Sequence, residues 1–179
     1  MERREKSSRL IIILFICFFI WILLQFLAPL ALPQGSVNDL TGLVGLSNNE
    51  NLIGDMPAPW GSIYGCGDSL CHQKEDRSFV INDNQMPFCV RCTAIWLGLA
   101  IGLAVMIFYK ITLNGKFLLI IFIGLVPIGI DGVGQLFGLW ESANIVRFIT
   151  GLLVGIVCGI SIVLIIDEVR CIYQEKNKK

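Results

Sequence analysis

The chain has 179 residues, 55% of them hydrophobic and 16% charged, with a mean hydropathy of +0.72. An ordinary soluble domain carries about 25% charge and about 45–50% apolar residues, so this composition belongs in a bilayer. Fourteen basic residues balance fourteen acidic ones, so overall charge does not point to nucleic acid or an acidic substrate.

The stretch MERREKSSR is followed by LIIILFICFFIWILLQFLAPLALP, an apolar run from Leu10 to about Leu32. That run exceeds the about 7–15 residues of a signal-peptide core, and no clear small-residue cleavage site follows, so it reads as an uncleaved anchor. Three more runs are long enough to cross a hydrocarbon core of about 30 Å. They lie at about Arg91 to Tyr109, Phe117 to about Leu139, and about Ala143 to Ile166. The expected fold is an all-α membrane protein with four transmembrane helices and an ordered outer loop that carries a Cys/His cluster.

Basic residues are retained on the cytoplasmic side of a membrane. Arg3, Arg4, Lys6 and Arg9 precede the first span, Lys110 and Lys116 separate the second from the third, and Arg170, Lys176, Lys178 and Lys179 follow the fourth. Four spans bring these ten of the fourteen basic residues to one face. The expectation is a multi-pass protein of the cell membrane with both termini cytoplasmic and the Cys/His loop extracytoplasmic. Its parts are a basic N-terminus and first anchor over 1–32, an extracytoplasmic loop over 33–90, a three-helix core over 91–166 and a basic cytoplasmic tail over 167–179.

The first half of the loop, PQGSVNDLTGLVGLSNNENLIGDMPAPWGS, has no sustained period and reads as irregular. In the second half, Asn82-Asp83-Asn84 suggests a hairpin between SFVI and QMPF. Pro87 fits at or just before a helix N-terminus, which places Cys89 and Cys92 in the first turn of the second span.

Seven cysteines divide by position. Cys17 and Cys158 fall inside spans and are expected to pack. Cys171 follows the fourth span at the membrane edge, where palmitoylation is weakly suggested. Cys66, Cys71, Cys89 and Cys92 share the loop side with the chain's single histidine, His72. They admit three readings: a structural zinc site, with Cys89-x-x-Cys92 as one half and Cys71 with His72 as the other; a disulfide or redox relay; or cysteines that only staple the loop. Neighbouring Cys and His are an awkward pair to ligate one ion, so Cys66 is the alternative fourth ligand.

Charge inside a bilayer costs at least about 2.5 kcal/mol per residue, so Asp131 and Arg147 demand partners. The simplest arrangement is an ion pair between them, supported by Gln135, Glu141 and Asn144, at the depth of the cysteine cap. Such a network either fixes helix register or forms a polar pocket open to the outer leaflet. Gly98 and Gly102, with Gly151, Gly155 and Gly159, predict close contact between spans two and four. Pro127 and the glycines around Asp131 make a kink plausible there.

The strings GDSLCHQKEDRSF, QMPFCVRCTAIWLG and DGVGQLFGLWESANIVRFITGLLVG resemble an uncharacterised family of small membrane proteins, domain of unknown function 2085. The resemblance covers about residues 64–160. It implies a motif set of Cys71, His72, Gln73, Arg77, Ser78, Phe79, Cys89, Arg91, Cys92, Gly98, Asp131, Gly132, Gln135, Arg147 and Gly151, with Cys66 outside it. No activity comes with it.

The sequence therefore supports a polytopic membrane protein in which a zinc site of Cys71, His72, Cys89 and Cys92 caps a pocket formed by Asp131, Gln135, Arg147 and Arg77. That pocket would bind, or act on, a membrane-associated anionic or lipid-like substrate. One alternative is a membrane thiol-disulfide oxidoreductase coupled to a quinone. The other is a non-catalytic assembly subunit that binds a membrane partner or a second copy. Nucleic acid is not an expected partner.

Overall fold

In the computed structural model the described residues are 2–109, 111 and 114–177, with side chains from Arg9 onward. Lys110, Lys178 and Lys179, and the side chains of Arg3, Arg4 and Lys6, on which the sequence-based topology leans, lie outside them. The element order is α1 (Glu2–Ala31), α2 (Glu50–Gly54), α3 (Trp60–Leu70), a 3₁₀ turn at Glu75–Arg77, β1 (Ser78–Ile81), β2 (Asn84–Cys89), α4 (Val90–Phe108), α5 (Gly115–Leu136) and α6 (Asn144–Lys176). Among the described residues four helices, α1, α4, α5 and α6, are long and apolar enough to cross a membrane. They fall where the four apolar runs predict them, except that α6 continues to Lys176 without a break.

Each span ends for a local reason. Pro33 disfavours helical geometry at Leu32, and α1 stops at Ala31. Asn114 caps α5, its side chain accepting from the Phe117 N–H at 2.9 Å. α5 runs through Pro127 as one continuous helix.

The tightest packing is between α4 and α6, which lie parallel. A Cβ on Gly98 would meet the Leu152 carbonyl and approach Gly155 Cα to 2.9 Å; one on Gly102 would come within 3.0 Å of Gly159 Cα. Only glycine allows backbones this close, and the predicted contact between spans two and four is observed. α1 and α5 complete the bundle around Ile11, Leu99, Leu103, Met106, Phe117, Ile160 and Val163. Because α4 and α6 are parallel, their N-termini lie at the same end as the loop from residue 33 to 89.

That loop is more ordered than its sequence suggests. The hairpin forms as expected: Asn82 and Asp83 take positive φ (57° and 55°) between β1 and β2. One short helix, α2, however, lies within the stretch read as irregular and α3 begins at its end, while Pro87 lies in β2, two residues before the N-cap of α4. α3 forms despite its three glycines because Gly67 packs directly on the Pro87 carbonyl, where a Cβ has no room. Two fully buried amides then knit the loop to the bundle. Asn84 donates to Pro29 O and Pro33 O, each at 2.9 Å, and accepts from Val37 N at 2.9 Å. Gln85 accepts from Leu40 N at 2.9 Å and donates to Gln73 O at 2.5 Å.

Candidate metal and anion site

Cys71 is the first residue after α3, in extended geometry (φ −139°, ψ 148°). Cys89 ends β2 and caps α4, and Cys92 lies in the first turn of α4. The hairpin folds the first of these back on the other two, and the three sulfurs lie within 4.8 Å of one another. Tetrahedral zinc at about 2.3 Å from each sulfur needs them about 3.8 Å apart, so a contraction of an ångström or less would close the site. Three thiols are a donor set suited to a soft or borderline metal.

His72 does not join this cluster. Its ring borders the cluster, with Nδ1 4.0 Å from Cys71 Sγ, but among the described residues only the three sulfurs lie mutually within 4.8 Å. Cys66 is also outside, exposed on α3.

The cluster concentrates negative charge on one sulfur. Hydrogen bonds from Cys89 and then Cys92 hold the Cys71 thiol far below the ordinary thiol range, helped by the Cys89 N–H, which donates at 3.4 Å. The Cys89 thiol, as donor to Cys71, is pushed up. Trp21 and Phe88 pack against the sulfurs from the α1 side.

On its other side the cluster forms the floor of a cleft of about 140 Å³, lined by Cys71, His72, Cys89, Cys92, Val44, Leu70, Arg77, Arg91 and Arg147. Three guanidinium groups from three elements thus converge on the thiols: the 3₁₀ turn, α4 and α6.

The expected Asp131–Arg147 ion pair is not the one that forms. Asp131 pairs with Arg91, and Gln135, one turn on along α5, donates to the same carboxylate at 2.9 Å. Arg147 donates to the neutral Asn144 Oδ1 at 2.8 Å. Its residue exposure is only 5%, its Nε has no partner, and no salt bridge reaches it among the described residues. Arg77 shares its Nε with Asp76 at 3.4 Å. Glu141, expected near Asp131, lines an adjoining groove with Asp76, Asn144 and Arg147. Asp131 and Gln135 therefore serve the cleft through Arg91, while Arg77 and Arg147 face it.

A family model described as a predicted membrane protein (DUF2085) matches residues 71–161. An uncharacterized protein of Methanocaldococcus jannaschii is 32% identical over 148 residues, 80% of this chain and 84% of that protein. An uncharacterized protein of Methanothermobacter thermautotrophicus is 36% identical over 87 residues, 49% of this chain and 78% of that protein. No solved structure matches. The matched span begins at Cys71 and contains all three clustered cysteines, all three arginines of the cleft and Asp131.

Proposed function

The chain belongs to the DUF2085 family of predicted membrane proteins, and from that premise we propose that it is a multi-pass protein whose three-thiol centre holds zinc at the floor of an anion-binding cleft. The observation that carries the reading is the lining of one small cleft by three sulfurs and three arginines. Cys71, Cys89 and Cys92 would hold the ion, leaving its fourth position to His72 or to an oxygen atom from the cleft. Zinc there supplies a Lewis acid that polarises a bound oxygen.

Three thiolates outweigh a divalent cation, so attraction of an anion falls to the arginines. Arg91 is neutralised by Asp131 and fixed in place. Arg147 and Arg77 supply positive charge, and guanidinium forks match carboxylate and phosphate oxygens. The N-termini of α4 and α6 end at the same cleft, adding the favourable ends of two helix dipoles. The basic residues beside the other helix ends support an extracytoplasmic cleft.

The test is the metal content of reduced, purified protein together with the redox state of its thiols. About one equivalent of zinc is expected, lost in Cys71→Ser, Cys89→Ser and Cys92→Ser and retained in Cys66→Ser. Less than about a tenth of an equivalent, with the clustered cysteines joined in a disulfide, would replace this reading with thiol–disulfide exchange. For the cleft, inorganic phosphate is expected to raise the unfolding temperature of the wild type and not of Arg147→Gln.

A further inference from the structure

The cleft has a second chemical character at its rim. Residues 43–46 form a turn, closed by Leu46 N to Leu43 O at 3.1 Å and tied to the end of α3 by Gly45 N to Ser69 O at 2.8 Å. The preceding residue is tied to the site itself through Gly42 N to His72 O at 3.2 Å. This turn and the adjoining end of α3 leave four large apolar side chains in the open: Leu43 at 67% exposure, Val44 at 64%, Leu46 at 56% and Leu70 at 58%. Val44 and Leu70 line the cleft beside the arginines. Each residue alone is unremarkable on a protein surface, but four together, pinned by backbone hydrogen bonds at the mouth of a cationic cleft, form an amphipathic surface.

We infer that the cleft takes the phosphate group of an anionic lipid, whose alkyl chains lie along Leu43, Val44, Leu46 and Leu70. This rests on the reading of the cleft as an anion site and names the source of the anion. Volume decides in favour of a head group with its chains outside. Sites that enclose a whole drug-sized ligand measure about 300–1,000 Å³, whereas this cleft measures about 140 Å³. Its size and its arginines suit an oxyanion rather than a whole lipid. Charge agrees: Arg147 is buried, faces the cleft and, among the described residues, donates only to a neutral amide oxygen. Depth agrees as well, because Val44 lines the same cleft as Cys92 of the first turn of α4, where the apolar span begins.

The test measures binding to the full-length protein in neutral detergent micelles with three probes. Dihexanoyl phosphatidic acid carries head and chains, glycerol 3-phosphate the head alone, and dihexanoyl glycerol the chains alone. The wild type is expected to bind phosphatidic acid at least about tenfold more tightly than either other probe, since only phosphatidic acid engages both the arginines and the exposed apolar side chains. Leu43→Ser/Val44→Ser, on an exposed turn, should bring phosphatidic acid close to glycerol 3-phosphate. Arg147→Gln should bring it close to dihexanoyl glycerol. Micelles concentrate both lipids alike, and the turn variant alters the protein and not the micelle, so partitioning does not imitate this pattern. Equal affinity for phosphatidic acid and glycerol 3-phosphate, unchanged by the turn variant, would overturn the lipid assignment and leave the anion cleft intact. Phosphatidic acid binding that is indifferent to Arg147→Gln would overturn both.

Discussion

Arg91, in the first turn of α4, pairs with Asp131 of α5, 40 residues further along the chain. The pair joins two spans at the depth of the cysteine cluster and places one wall of the cleft. Removing one member of a buried pair costs about 3–5 kcal/mol because it strands the other charge, whereas replacing both with apolar residues is often close to neutral. Asp131→Leu should therefore lower the unfolding midpoint in mixed micelles strongly, and Arg91→Met/Asp131→Leu should recover most of the loss. Equal losses in the single and double variants would show that the two side chains do not act as a pair.

The α4–α6 contact makes opposite predictions for two glycines. Gly98→Ala forces backbones apart where Gly155 Cα would be 2.9 Å from the new methyl group, at a cost of about 1–3 kcal/mol. Gly129→Ala meets nothing within 4 Å on α5 and should gain about 0.5–1 kcal/mol from helix propensity. Thermal unfolding of the two variants side by side checks the sign as well as the size.

Asn84→Ala would leave the Val37 N–H and the Pro29 carbonyl without their partner, while Pro33 O keeps its bond from Ser36 N. Each buried group left unmet costs about 1–3 kcal/mol. The loss should appear locally, as faster proteolysis between residues 33 and 47, with the four spans still protected.

Zinc bound by three thiolates competes with protons at Cys89 and Cys92, the thiols that remain protonated beside Cys71. Metal content should be full at mildly alkaline pH and fall as the pH drops, more steeply than the about tenfold per pH unit of a site that sheds a single proton. Equilibrium dialysis across a pH series reads the slope. A flat profile would argue against thiolate ligation.

Contact with Asp39 raises the Glu75 carboxyl above the usual carboxylate range. The folded chain then holds this proton more tightly than the unfolded chain does. The stabilising contribution is present below the ordinary value and is lost as the pH rises through the raised one. Glu75→Gln should remove that decline, seen by comparing unfolding midpoints at about pH 5 and about pH 7.5. The 3₁₀ turn that carries Arg77 begins at Glu75, so the variant also reports on the wall of the cleft.

The spans were legible because a bilayer imposes length and apolar content, and the hairpin because Asn82-Asp83 suits positive φ. The α4–α6 contact was legible in glycine spacing. Which arginine meets Asp131 was not, since helices this uniformly apolar carry little periodicity to set their rotation. α3 was hidden for another reason: its glycines are poor helix formers and are there for Gly67 to fit against Pro87, a contact 20 residues away in sequence. The sequence placed His72 beside the right sulfurs, but only the structure shows that its ring approaches Cys71, at 4.0 Å, and stays outside the three-sulfur group. The run Leu43-Val44-Gly45-Leu46 in a polar loop was the available signal for the apolar rim.

The unequal lengths of the two parallel helices give the molecule a built-in spacer. Gly159 lies level with Leu99 and Gly102, so α4 ends opposite about residue 166 while α6 continues from Asp167 to Lys176. Those ten residues reach about 15 Å further at 1.5 Å each, more than the few ångströms of head-group layer on one side of a bilayer. The last ten residues of α6 thus extend alone past the end of α4, at the end of the molecule opposite the three-cysteine cluster. A donor dye at the Cys171 thiol and an acceptor at the cleft would be separated by the full height of the bundle.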